Sequence, residues 1–300
     1  MCFYFFHYLL LNKKYINLSF NKMEYKHYLN IFSSQSDYES QKNEVMDMPH
    51  VVLLEDTNEV IFASKNNKDE IDYALEFFTI EALEEGTVGI GIPSSATSLK
   101  YRKNNELWIE TSEAIQLSVV ANDTIQISCV SDSFNSNTCS SPFAISTPFN
   151  VKGNIMSLLY GDNFKGQIVL RGKHNTFSFC FYNCTTLQNA ENLILPATTL
   201  ADYCYDCMFS YCTSLTTSPE LPATTLADFC YYHMFDGCSK LNYIKMLATD
   251  ISASNCLSYW VNGVASSGTF VKHPQMTSLP SGASSSHGIP YGWTVENEGN

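Results

Sequence analysis

Leu195–Leu215 reads LPATTLADYCYDCMFSYCTSL, and Leu221–Leu241 reads LPATTLADFCYYHMFDGCSKL. The second stretch repeats the first column by column, so Cys204 falls on Cys230, Met208 on Met234, Phe209 on Phe235 and Cys212 on Cys238. An earlier copy, CFYNCTTL at Cys180–Leu187, matches at a slightly longer offset, because Gln188–Leu195 holds two extra residues. A degenerate copy from Leu247 places Cys256 under Cys230 and Trp260 under Met234. A fixed period in the twenties is the mark of a solenoid, in which no unit buries its apolar face alone and neighbours must stack.

Each unit pairs an extended piece (LTTSPELP, LNYIKMLA) with a compact segment such as ATTLADYCYDCMFSYC. The extended piece predicts one rung of a parallel sheet. The compact segment predicts a helical or 3₁₀ return opened by a Thr cap, Thr199 or Thr225. Leu200, Tyr203 or Cys204, Met208 and Phe209 recur at about helical spacing and are expected to face the sheet. Trp260, Gly268–Val271 and the Pro/Gly/Ser-rich tail to Trp293 read as a C-terminal cap, and Asn154–Phe164 (NIMSLLYGDNF) as the junction at the other end.

Upstream of the repeats the period is two. Val88, Ile90 and Ile92 alternate, as do Leu107 and Ile109, then Ile115, Leu117 and Val119, then Ile125, Ile127 and Cys129. Lys103–Glu106 forms a turn between SLKYR and LWIETS. Short alternating strands with frequent turn signals predict a small Ig-like β-sandwich. Further upstream, His50–Ala63 reads as a hairpin turning at Asp56–Asn58, and 32–47 as a short surface helix capped by Ser33, Ser34 or Ser36. The expected chain is therefore mainly β. It divides into a non-native extension (1–22, translation starting at Met23), an acidic α+β segment (23–75), the Ig-like sandwich (76–150), a connector and N-terminal cap (151–175), the solenoid (176–265) and a C-terminal cap and tail (266–300).

The repeats resemble the BspA-type leucine-rich repeats, in which a helix-turn of the form A-F-x-x-C is followed by T-S-L and a strand. The matching residues are Phe181–Leu187 (FYNCTTL), Phe209–Leu215 (FSYCTSL) and Phe235–Leu241 (FDGCSKL). With the Ig-like module, the LPATTLA repeats and the segment Val261–Phe270, the chain looks like a family common in gut Bacteroidales and their phages. That resemblance implies a leucine-rich-repeat solenoid and a surface or virion adhesion protein that is not an enzyme. The repeat is a few positions longer here than in that family, Leu195 returning as Leu221, and no export signal is recognisable in the sequence.

The formal net charge is −13, with only 16% charged residues. Residues 24–85 carry fifteen acids and four bases, so the acidity belongs mainly to the N-terminal segment. This balance opposes a phosphate-backbone binder, and no segment is long and apolar enough to span a membrane as a helix. The apolar run Phe3–Leu11 is too short for that.

Eight of the eleven cysteines fall inside the repeats. Cys184/Cys212/Cys238 and Cys204/Cys230/Cys256 each occupy one column, with Phe181, Phe209 and Phe235 in another, and these nine are expected to form the repeat core. Free Cys packs well as a small hydrophobe, so reduced thiols are expected there; Cys129 with Cys139 is the alternative disulfide. Cys204, Cys207, Cys230 and His233 have ligand types and spacing that suit zinc. The repeat itself generates that spacing, however, so the expectation is no metal and no cofactor.

Catalytic signatures are missing: there is no G-x-S-x-G, H-E-x-x-H, P-loop or G-x-G-x-x-G. Asp202, Asp206, Asp228 and Asp236 are scattered. Tyr205, Tyr211, Tyr231 and Tyr232 are the binding candidates, because Tyr combines contact area with a polar tip. The sequence thus points to a non-enzymatic adhesion protein, a phage tail or virion-associated component or a bacterial surface protein. It is expected to bind a host surface protein or glycan, with virion proteins as further partners and homo-oligomeric assembly open. A cytoplasmic scaffold is the alternative.

Overall fold

The computed structural model describes residues 76–135, 140–170, 172–280 and 287–299 in full, and upstream of them the backbone of five strands. Two compact units divide at Ile71/Asp72. In the first, β1 (Leu18–Phe20) pairs antiparallel with β2 (Met23–Tyr25). There too β3 (Tyr28–Phe32) pairs in parallel with β4 (His50–Leu54), which turns back antiparallel into β5 (Glu59–Ala63). The expected hairpin is thus present; beyond Phe32 the expected 32–47 helix lies outside the described residues.

The second unit begins with antiparallel strands. β6 (Thr79–Ala82), β8 (Leu99–Lys103), β9 (Ile109–Thr111) and β11 (Thr124–Cys129) form one sheet, in the order β6-β11-β8-β9. β7 (Gly86–Ile90) is flanked by β10 (Ile115–Val119) and β12 (Phe143–Ile145) in a second. The alternation read from sequence sets which side faces in for β7 and β11, where Val88, Ile90, Ile125 and Ile127 are buried, but not at the edge strand β9, where Ile109 and, just before it, Leu107 are exposed. The β8–β9 turn uses Asn104 and Asn105 at φ of 51° and 61°, a conformation Asn tolerates better than most residues.

β13 (Phe149–Asn154) is the seam. On one side it pairs antiparallel with β6, on the other in parallel with β14 (Leu187–Asn189) and β15 (Leu193–Ile194). From there every pairing is parallel, through β16 (Thr217–Leu221), β17 (Tyr243–Met246), β18 (Thr269–Lys272) and β19 (Thr294–Asn297). This is a parallel β-solenoid of about four turns, sharing one continuous sheet with the antiparallel region. The sheet runs on through β18 and β19, past residue 265.

The opposite wall departs from expectation. The only α-helix among the described residues is α1 (Ser157–Tyr160), and the repeat returns are not helical. They are runs of turns with a period of four. In the second coil Tyr203, Cys207 and Tyr211 take φ of 57°, 52° and 60°; in the third, Phe229, His233 and Gly237 take 55°, 49° and 74°. Between successive left-handed residues, two side chains point inward (Cys204 and Tyr205, then Met208 and Phe209) and one polar residue closes the turn.

The backbone accounting explains the wall's stability. N–H groups of even-numbered residues bond within the coil, as in Cys204 N–H to Ala201 O (3.3 Å) and Met208 N–H to Tyr205 O (3.2 Å). Those of odd-numbered residues reach the next coil: Tyr205 to Cys230 O (3.1 Å), Cys207 to Tyr232 O (2.8 Å), Phe209 to Met234 O (2.9 Å). Buried backbone groups must be paired, and here half are paired across coils. A helix would turn all its donors along its own axis and leave neighbouring coils unbonded. Thr199 and Thr225, expected as helix caps, instead form parallel bridges at the corner, Val169 with Thr199 and Thr225 with Asp250.

Candidate functional site

Inside the solenoid the repeated columns become stacks. Phe143, Phe181, Phe209 and Phe235 follow one another at centroid spacings of 5.3, 5.2 and 5.6 Å, with planes within 13° of parallel. Trp260 ends the stack against Phe270. The cysteine column serves it: the Cys212 thiol donates to Phe181 O and the Cys238 thiol to Phe209 O, both at 3.0 Å, while Cys184 meets Ser141 Oγ. Burial pushes the thiols of Cys180, Cys212, Cys230 and Cys238 well above the usual range, Cys204 up to about 12, and Cys129 and Cys184 up to about 11. Cys204, Cys230 and Cys256 are buried as well, and the nine described cysteines are thiols, none of them in a disulfide. Cys129 is among them; Cys139 lies outside the described residues.

A second inner stack corrects the sequence reading. Phe177, Tyr205 and Tyr231 lie at 5.9 and 6.0 Å spacing, and both tyrosines are 1% exposed. Tyr205 and Tyr231 are therefore core residues and present nothing to a partner. In the period of four they occupy the second inward position, one residue before the polar one, which a helical reading assigns to the surface.

Tyr211 is 45% exposed and Tyr232 half-buried, both on the outer side of the turn wall. Around them is an aromatic surface that the sequence reading caught only in part, because Tyr203, Phe229, His233 and Tyr259 sit at left-handed positions, where bulky side chains are uncommon. Tyr203 stacks on Phe229 (4.5 Å, 6°), His233 on Tyr259 (4.9 Å, 16°), and Tyr182 meets Tyr211 edge-on (5.8 Å). Gly237 lies beneath Tyr211: at φ +74°, a Cβ there would come within 2.6 Å of the ring.

The four suggested zinc ligands do not converge. Cys204 and Cys230 sit in the inner column, Cys207 and His233 in the outer one. His233 Nδ1 is 2.8 Å from Asp236 Oδ2. Among the described residues no group of three or more His, Cys, Asp or Glu side chains is arranged to hold a metal ion.

A cleft of about 220 Å³ lies in the antiparallel region between β8, β11 and the turn after α1. It holds two carboxylates, each engaged: Asp162 by Lys100 Nζ (2.7 Å) and Glu110 by the Ser98 hydroxyl (2.6 Å). Both ends of the turn wall are covered. Phe134 N–H donates to Thr176 O (2.7 Å) and Ser141 Oγ to Cys180 O (2.7 Å) at the first coil. Trp260 Nε1–H donates to Gly288 O (3.0 Å) and Ser258 Oγ meets His287 Nε2 (3.0 Å) at the last.

These features define a class: a parallel β-solenoid with one sheet wall and one wall of hydrogen-bonded turns, joined through its sheet to an antiparallel region. Comparison with protein-family models, curated proteins and solved structures returns no match.

Proposed function

We propose that this protein is a non-enzymatic adhesion or recognition protein, a phage tail or virion-associated component that binds a host surface protein or glycan through its solenoid. The observation that carries the reading is a division between columns. Inner ones repeat from coil to coil, as in Phe181/Phe209/Phe235 and Cys184/Cys212/Cys238, whereas an outer one runs Phe179, Cys207, His233, Tyr259. A constant interior with a varied surface is what a recognition array requires, since side chains can change there without disturbing the stacks. The resemblance of the repeats to BspA-type leucine-rich repeats, and of the antiparallel region to an Ig-like sandwich, supports the same reading. A bacterial surface protein or a cytoplasmic scaffold is the runner-up, carried by the same division.

The test is binding of the labelled full chain to intact gut Bacteroidales cells, beside the double variant Tyr211→Ala/Tyr259→Ala, both sites being about half exposed. Saturable binding weakened by the variant supports recognition through the outer wall. An absence of binding across a broad panel of cells overturns the adhesin reading and leaves the scaffold.

A further inference from the structure

The outer side of the turn wall has a one-sided chemistry. Its left-handed positions and the polar positions beside them include Asp202 and Asp228, which are open to solvent, and Asp206 and Asp236, which are buried beside them, but no Lys or Arg. Among the described residues none of these four carboxylates pairs with a Lys or Arg; His174 lies 3.6 Å from Asp202 and His233 2.8 Å from Asp236, whose other oxygen accepts from Asn262 Nδ2–H at 2.8 Å. Elsewhere in the same unit several carboxylates are matched by lysine, as in Asp123 with Lys103, Glu81 with Lys152 and Glu220 with Lys245.

Asp206 adds an independent mark. It is 9% exposed, and its carboxyl meets Ser178 Oγ at 3.3 Å from Oδ2 and the neighbouring Cys207, while Oδ1 is buried with no hydrogen-bond partner. A buried acceptor without a donor is costly. The rings around it spend their faces on one another, Tyr203 against Phe229 and His233 against Tyr259. What lies outward beside these stacked pairs is the half-exposed rings of Tyr211 and Tyr259 with their phenol oxygens and the carboxylates of Asp202 and Asp228.

We propose that this turn-wall face is the recognition surface and that its partner is a cationic stretch of polypeptide, rich in Arg and Lys, laid across the second and third coils. The partner brings the lysine and arginine charge that the face lacks. Guanidinium, with five donors in one plane, suits a surface of carboxylates and phenol oxygens better than a neutral sugar does. The inference rests on the recognition reading above and specifies its face and its ligand chemistry.

The experiment measures fluorescence anisotropy of a labelled peptide of five Arg-Gly-Ser repeats with the full chain. Its Gln-for-Arg counterpart and a labelled neutral β-glucan hexasaccharide run alongside. The expected result is saturable binding of the Arg peptide alone, weakened about tenfold or more by Asp202→Asn/Asp228→Asn and by salt at several hundred millimolar. Both substitutions are near-isosteric, and the amide oxygen introduced by Asp228→Asn can still accept the Ser254 N–H bond that Asp228 Oδ1 now takes at 2.7 Å. Glu84→Gln/Glu85→Gln removes the same charge from an exposed turn elsewhere; equal weakening by both double variants would mean general acidity and overturn the proposal. Binding of the hexasaccharide, or of neither ligand, would also overturn it. Cell binding lost with Tyr211→Ala/Tyr259→Ala but indifferent to Asp202→Asn/Asp228→Asn would sink this inference and leave recognition standing. Arg-peptide binding without any cell binding would do the reverse.

Discussion

The antiparallel region and the solenoid share one sheet, yet they hold register by different means. In the antiparallel region β8 and β9 are joined by a tight turn, other pairs such as β6–β11 and β7–β12 close over longer stretches of chain, and polar pins set the turns. Asn104 Nδ2–H donates to Asp123 Oδ1 (2.6 Å), Val120 N–H to Asp123 Oδ2 (2.8 Å), and Lys103 completes the site at 2.7 Å. In the solenoid, partners lie a whole repeat apart in sequence, as Tyr243 and Thr269 do, and no local turn can set the register. Stacked columns do it instead, each ring seated on its equivalent in the next coil. Local pins tolerate a neighbour's loss; columns transmit it.

The largest test of this contrast is Phe209→Ala. It opens a cavity between Phe181 and Phe235, and we expect a loss of about 3–5 kcal/mol in urea unfolding, with amide exchange accelerated in the coils on both sides. A change confined to the second coil would show that columns do not couple coils. Next is Asp123→Ala, expected to cost about 1–3 kcal/mol with exchange accelerated only around the β8–β9 and β10–β11 turns. Its pH dependence is definite. The hydrogen bond from Asn104, then that from Lys103, hold the Asp123 carboxyl down to about 2. The carboxylate's contribution is therefore full above the unfolded value near 4 and lost as pH falls from about 4 to about 2. Wild type and variant should converge in stability at the bottom of that window; a gap that persists there would assign the loss to packing.

Gly237→Ala should cost about 1–2 kcal/mol, from the left-handed backbone and from the ring of Tyr211. Adding Tyr211→Ala should recover the steric part alone, which a double-mutant cycle reads directly. The smallest effect concerns reactivity. Of the described cysteines Cys207 alone is half-buried and the other eight are buried, so brief alkylation of the native protein should label it first, by peptide mapping, and the others only after unfolding. Fast labelling of Cys212 or Cys238 would mean that the solenoid opens more readily than its stacks suggest.

Much of this was legible in the sequence. The repeat register, the Cys and Phe columns, the rungs at β16 and β17 and the alternating strands β7, β10 and β11 all follow from periodicity, whereas Leu107 and Ile109 alternate on an edge that stays exposed. The turn wall did not, for a specific reason. Cys204, Met208 and Cys212 recur every four residues, and over so short a run a period of four passes for the slightly shorter one of a helix. The misreading turned Tyr205 and Tyr231 outward and made caps of Thr199 and Thr225. The aromatic surface was hidden for a related reason: Tyr203, Phe229 and His233 hold a backbone conformation that composition assigns to Gly or Asn. The seam at β13 leaves no periodic trace, because one strand there serves two kinds of pairing.

The period of four also governs how such a protein can change length. The first coil's return stands two residues further from the second than the second does from the third, and the extra pair appears in the sheet, as the break at Ala190–Asn192 between β14 and β15. Two residues inserted in the turn wall would exchange its inward pairs for its outward ones and turn Cys204 and Tyr205 to solvent. The strand wall absorbs odd lengths as bulges, as Pro219 in β16 does where the register slips by one. Insertions are thus sorted by geometry: the sheet side takes any small number, and the turn side grows only in whole quartets.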